Sequence, residues 1–301
     1  MGNLFERASS GWARYDDYEW KEGADGILYL TPTAKAKPGI YDPMKDAETL
    51  VVDALNVGRK CMGESADDLE VRESILQFAL RYGLLGMMAA LPTTPDFMDY
   101  EAVYLPKNHF IKEEAMRTED YLSLFFPFEK PNIRKRGVES MWNVGGDRTM
   151  IALAMTMSGK PMAVNMEFQR EYAERYDWLK ILFTDWAFTL AGSIIYYEDY
   201  DRMDEDTRIL YRQGMAAFSG IAPTYHVALL DRPTIIWDFH SLLLVIQMMF
   251  SFMLADDAKP LRLCRHCAKA FVAGRPSAVF CSPHCKNRHN VYKSRAKNKG
   301  G

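Results

Sequence analysis

The hydrophobic pattern of this chain changes period several times, and its longest stretches repeat every three to four residues. Residues 42–60, "DPMKDAETLVVDALNVGRK", open on an Asp and place Leu50, Val51, Ala54 and Leu55 on one face, which predicts an amphipathic helix. A second is predicted over 65–92, capped by Ser65, acidic in its first turn and stopped by Pro92. Residues 165–200 predict one long or broken helix, 205–220 a shorter one ending at Gly220, and the apolar run 241–255 a buried core helix. Period-two or β-branched and aromatic runs are fewer. They predict strands at 26–30, 101–105, 224–230 and 234–239, the last two joined by a turn at Asp231-Arg232-Pro233. Between about 93 and 165 no period is clear, and an irregular connection is expected. Gly145-Gly146 lacks the spacing and the Lys-Ser/Thr of a phosphate loop and reads as a turn.

At 301 residues and 48% hydrophobic, the chain can bury a large core. The N-terminal residues carry no signal-peptide pattern, and Glu6 stands where a myristoylation motif needs Ser or Thr. The apolar run 178–197 is interrupted by Lys180 and Asp185, and 241–255 is short for a bilayer, so no membrane span is expected. A cytoplasmic protein with reduced thiols follows, in which clustered cysteines argue for metal rather than disulfides.

Charge is unevenly placed. Residues 258–301 hold eleven of the 37 basic residues and none of the 40 acidic ones, leaving the first 257 residues at a net −14. Such segregation points to an anionic partner for the basic end. The same end holds four of the five cysteines, Cys264-x2-Cys267 and Cys281-x3-Cys285. Two close pairs of soft ligands joined by a short spacer suit one structural Zn2+ in a closed tetrahedral site. His284, separated from Cys281 by Ser282 and Pro283, also satisfies zinc spacing and is the alternative to Cys285. Residues 270–280 predict a β-hairpin around Gly274. Ser282-Pro283 predicts an N-cap with Pro at the first helical position, which places Cys285 in the first turn, where the helix dipole favours its thiolate. The layout is that of a treble clef. Cys61, alone in a predicted helix, reads as a buried apolar side chain.

The run "CSPHCKNR" (281–288), preceded by "LRLCRHCAKAF" (261–271) and a long apolar helix, resembles the CGNR-type zinc finger at the C-terminus of bacterial stress-induced transcription regulators, or a sister family with the same finger. The resemblance covers roughly 40 of the 301 residues. It implies a helical N-terminal domain, DNA binding by the finger, Cys264, Cys267, Cys281 and Cys285 as ligands, and Asn287-Arg288 as the signature polar pair. Lys286 departs from the Gly of that signature, and both cysteine pairs are tighter than its pattern.

The final helix, from Pro283 to about Lys297, is basic around nearly its whole circumference. Lys286, Asn287, Arg288, Asn290, Lys293, Arg295 and Lys297 are the candidate nucleic-acid contacts, with double-stranded DNA the first partner. RNA remains open through stacking on Phe271, Phe280 or Tyr292. So does an interaction module in which the finger is a structural clip against a protein partner or braces a homodimer. No enzyme is expected. The basic segment has no acid to build a nuclease's metal site, and no nucleophile-elbow, H-E-x-x-H or phosphate-loop motif occurs. His226, Asp238 and His240 can be drawn as a dyad, but read as a strand pair and a helix start. The acidic run 197–206 reads as a solvated turn that could shield the basic helix.

The resulting expectation is a mainly α protein with a few short strands. A large helical domain spans 1–257, its sensing or oligomerising role open, and a small treble-clef zinc finger spans 258–301.

Overall fold

The computed structural model describes residues 8–9, 11–63, 68–88, 102–104, 110–111, 113–129, 170–218, 223–239, 241–275 and 277–299. Ser65, Gly145-Gly146, most of the stretch read as irregular, and His240 lie outside the described residues. Seven α-helices occur among those described: α1 (Ala47–Cys61), α2 (Asp68–Tyr82), α3 (Thr118–Ser123), α4 (Tyr176–Glu198), α5 (Glu205–Ala217), α6 (Leu242–Leu254) and α7 (Pro283–Lys299). The strands are short: β1 (Ala8–Ser9), β2 (Trp12–Tyr15), β3 (Tyr18–Glu22), β4 (Leu28–Pro32), β5 (Pro38–Tyr41), β6 (Ala102–Tyr104), β7 (Ala115–Arg117), β8 (Glu174–Arg175), β9 (Thr224–Leu229), β10 (Pro233–Asp238), β11 (Leu261–Leu263) and β12 (Ala270–Val272). A mainly α chain with small sheets agrees with the periodicity.

Three local expectations are corrected. The described residues up to Tyr41 carry β1–β5, where only 26–30 was expected as strand. β2 pairs antiparallel with β5, and β3 with β4. Strands of four or five residues with charges between their buried aromatics give too little period to detect. Second, α2 ends at Tyr82, ten residues before Pro92. Gly83 and Gly86 both adopt positive φ, 91° and 74°, a conformation in which glycine is unpenalised and helix cannot continue. Third, the long helix over 165–200 begins only at Tyr176. Glu174 and Arg175 are instead drawn into β8, opposite Leu30 and Tyr29 of β4.

The backbone divides into two compact units: Met1–Lys45, Ile75–Leu179 and Ile221–Val245 form one, and Asp46–Ser74, Lys180–Gly220 and Ile246–Gly301 the other. The first holds every sheet except the β11–β12 pair. It contains a buried glutamate. Glu174 accepts the backbone N–H groups of Leu85, Gly86 and Met87 at 2.9, 2.7 and 3.1 Å, and the Tyr172 hydroxyl at 2.9 Å. Burial pushes this carboxyl above its ordinary range, against the pull of those four donors. Around it, Trp12 donates its indole N–H to Leu84 O at 2.9 Å, and Thr31 donates its hydroxyl to Tyr172 O.

The second unit is helical. Gly58 of α1 lies so close to α4 that a Cβ there would collide with the Phe183 carbonyl. By length and composition alone α4 could cross a membrane, but Leu182, Phe183, Trp186 and Leu190 on it are buried in the protein. Lys60 pairs with Glu70 at 3.1 Å, and Lys180 with Asp68 at 3.4 Å.

Glu174→Gln sets an amide NH2 against one of the clamped N–H donors and strands it in the interior. The variant is expected to lose about 1–3 kcal/mol of stability, read as a lower urea midpoint with an unchanged slope.

Candidate metal centre and the basic helix

The basic end of the chain folds around its first cysteine pair. β11 and β12 run antiparallel, with Leu261 opposite Val272 and Leu263 opposite Ala270. The turn between them, residues 264–269, holds Cys264 and Cys267. It is closed by Cys264 N–H donating to Lys269 O at 2.9 Å and Ala268 N–H donating to Cys264 O at 2.8 Å. Ala268 takes the left-handed conformation, φ 56°, among the described residues the one non-glycine to do so. The expected hairpin around Gly274 is therefore corrected: the hairpin brackets the first cysteine pair. Among the described residues of 273–280 there is no strand, and Pro276 has no N–H to offer a ladder.

The second pair arrives from the other side. Arg265 N–H donates to Val279 O at 3.0 Å, which lays the approach to Cys281 against the first turn. Ser282 then caps α7, its Oγ accepting the Cys285 N–H at 3.2 Å, and Pro283 is the first helical residue, as predicted. Cys285 stands in that first turn.

The four sulfurs converge. The sulfurs of Cys264, Cys267, Cys281 and Cys285 all lie within 4.8 Å of one another. The Cys267–Cys281, Cys281–Cys285 and Cys267–Cys285 separations are 3.7, 3.5 and 3.8 Å. A tetrahedral ion with metal–sulfur bonds of about 2.3 Å holds its sulfurs about 3.8 Å apart, so the four residues could hold one metal ion. His284 is exposed and is not part of the group. Cys264 and Cys285 are buried, Cys267 half-buried, and Cys281 exposed.

Without a cation the thiols oppose one another. Burial pushes Cys264 up, but backbone N–H donors of Cys281, Cys267 and His266 outweigh it and bring it to about 6. Burial and the neighbouring sulfurs push Cys281 up to about 12. One thiolate among four close sulfurs disfavours the next, and a bound cation removes that opposition. Cys61, apart from the group, is buried as expected, and burial pushes its thiol up to about 11.

A residue missed by sequence reasoning ties this finger to α1. The Asn56 amide accepts the Ala270 N–H at 2.9 Å and donates to Ala270 O at 3.2 Å, so that a side chain takes the place of a neighbouring strand beside β12. No local pattern announces it, since the partners stand 214 residues apart.

Beyond Cys285, α7 leaves the finger. Lys286, Asn287, Arg288, Asn290, Lys293 and Arg295 are all exposed on it, and the Lys297 side chain lies outside the described residues. Among the described side chains from Lys286 to Arg295 only His289 is half-buried. Two ring contacts support the helix: His266 stacks on Tyr292 at 5.8 Å, and Phe280 meets His289 at 5.1 Å. Elsewhere, His226 Nδ1 lies 2.7 Å from Asp238 Oδ2 across β9 and β10. The acidic run is an exposed turn: Asp204 caps α5 through Thr207 N–H, and Asp199 pairs with Arg202.

No protein-family model, curated protein or solved structure matches the chain. The likeness of its finger to CGNR-type fingers thus rests on the residues quoted above.

Two outcomes are expected. Thiol-specific oxidation or Cys285→Ser should release about one equivalent of metal per chain, read with a chromogenic chelator, and the far-ultraviolet helix signal should fall as α7 loses its fixed end. Ala268→Gly should stabilise the metal-loaded protein by about 0.5–1 kcal/mol, the left-handed penalty less the added unfolded-state freedom, read as a higher thermal midpoint.

Proposed function

We propose that this chain is a bacterial zinc-finger protein that binds nucleic acid, double-stranded DNA foremost, and regulates transcription. Zinc is the metal assigned to Cys264, Cys267, Cys281 and Cys285, because four thiolates in a closed tetrahedral set suit it and leave no position open for catalysis. Bound there, it supplies structure rather than chemistry. The protein is proposed to be non-enzymatic and cytoplasmic.

The observation that carries this reading is the exposure of α7. A helix with four exposed Lys and Arg between 286 and 295, no acid, and a fixed N-terminal end is a projecting cationic rod. Such a helix is marginal alone, and contact with phosphates would order it. A second reading is favoured by Val291 and Tyr292, 48% and 53% exposed on the same helix: the finger clips the fold together and α7 meets a protein partner.

Fluorescence anisotropy of random duplex DNA with the full-length, metal-loaded protein separates the two. Binding with a log–log salt slope of about four or more phosphate contacts is expected, and Lys286→Ala/Arg288→Ala/Lys293→Ala/Arg295→Ala should abolish it with the fold intact by circular dichroism. Binding that survives the fourfold change sinks the helix reading. No binding at low salt leaves the finger as a clip.

A further inference from the structure

The faces of α7 are not equivalent, and the finger fixes which of them looks outward. Counting about 100° per residue from Cys285, His289 and Tyr292 fall on the side of the metal centre. The contacts agree: Cys285 is buried in the sulfur group, His289 meets Phe280, and Tyr292 stacks on His266. Directly opposite, at about 140–200° on the same count, lie Asn287, Asn290 and Ser294, all exposed and uncharged. One flank of that strip is Lys286 and Lys293, at about 80–100°. The other is Arg288 and Arg295, at about 280–300°. All four are exposed.

We infer that Asn287, Asn290 and Ser294 form a base-reading strip in the major groove of duplex DNA, with Lys286 and Lys293 on the phosphates of one strand and Arg288 and Arg295 on those of the other. This rests on the nucleic-acid reading above and adds which residues discriminate sequence. Two cationic rows separated by an uncharged strip, with Val291 at about 240° between the strip and the arginines, complement two phosphate walls separated by base edges. A helix of about 10–12 Å fills a major groove about 12 Å wide, whereas the major groove of duplex RNA is too narrow to admit it. From Asn287 to Ser294 the helix rises about 10.5 Å, close to three base-pair steps of about 3.4 Å. An Asn amide pairs with the N6 and N7 edge of adenine, both donor and acceptor satisfied, so the site read is one with adenine at fixed positions.

The test is selection from a randomised duplex pool with the full-length, metal-loaded protein, followed by anisotropy on the selected and a scrambled duplex. Wild type is expected to enrich adenine at one or two fixed positions. Asn287→Ala/Asn290→Ala, which replaces exposed helical residues with a better helix former, should bind the selected duplex about ten- to a hundred-fold more weakly. Its affinity for the scrambled duplex and its salt slope should be unchanged. Lys286→Ala/Lys293→Ala should weaken both duplexes alike and flatten the slope. Duplex binding without any enriched sequence overturns the base-reading strip and leaves the cationic helix standing, as does an equal loss on both duplexes in the amide variant. Binding to single-stranded RNA but to no duplex overturns the strip, and failure to bind any nucleic acid overturns the underlying reading with it.

Discussion

Four sulfurs within 4.8 Å of one another are poor neighbours unless a cation stands among them, and the last forty residues depend on that constraint. The sulfurs sit on three pieces of backbone: two on the turn between β11 and β12, one at the approach to α7, one in the first turn of α7 itself. None of these pieces brings much apolar surface. A shared metal would replace the missing core, and because Cys285 belongs both to the sulfur group and to the helix, the same contact would set where α7 begins and which way it points.

The finger is not left to its sulfurs alone. α1 offers it the Asn56 amide, and α1 is itself fixed against α4 by the close approach at Gly58. Position thus passes from an ordinary helical core, through one amide, to a small strand, to the sulfurs, and along α7. The end of this sequence is a helix held on one side by Cys285, His289 and Tyr292 and polar over most of the rest, so that its basic residues stay available.

Legibility in the sequence followed distance along the chain. The cysteine pairs, the Ser282 cap and Pro283 could be read because each feature lies within a few residues of its partner. α1, α5 and α6 could be read because their periods are long. β4 could be read at 26–30, but β2, β3 and β5 could not, since four or five residues do not establish a period, and the hairpin was misplaced because Gly274 advertises a turn more loudly than a cysteine pair that closes on itself. Asn56 and Glu174 were invisible. Both look like surface residues in their own segments, and only partners 214 and 89 residues away make them structural.

The Glu174 clamp has a bearing on how this chain tolerates change. It joins positions 85 and 174 directly and so closes the chain between them on itself. Closing such a loop costs entropy that grows only with the logarithm of its length, and each doubling adds only about 0.6 kcal/mol. Once the carboxylate holds those three N–H groups, the length of chain between them weighs little on that closure, whereas the glutamate itself cannot be exchanged without losing it.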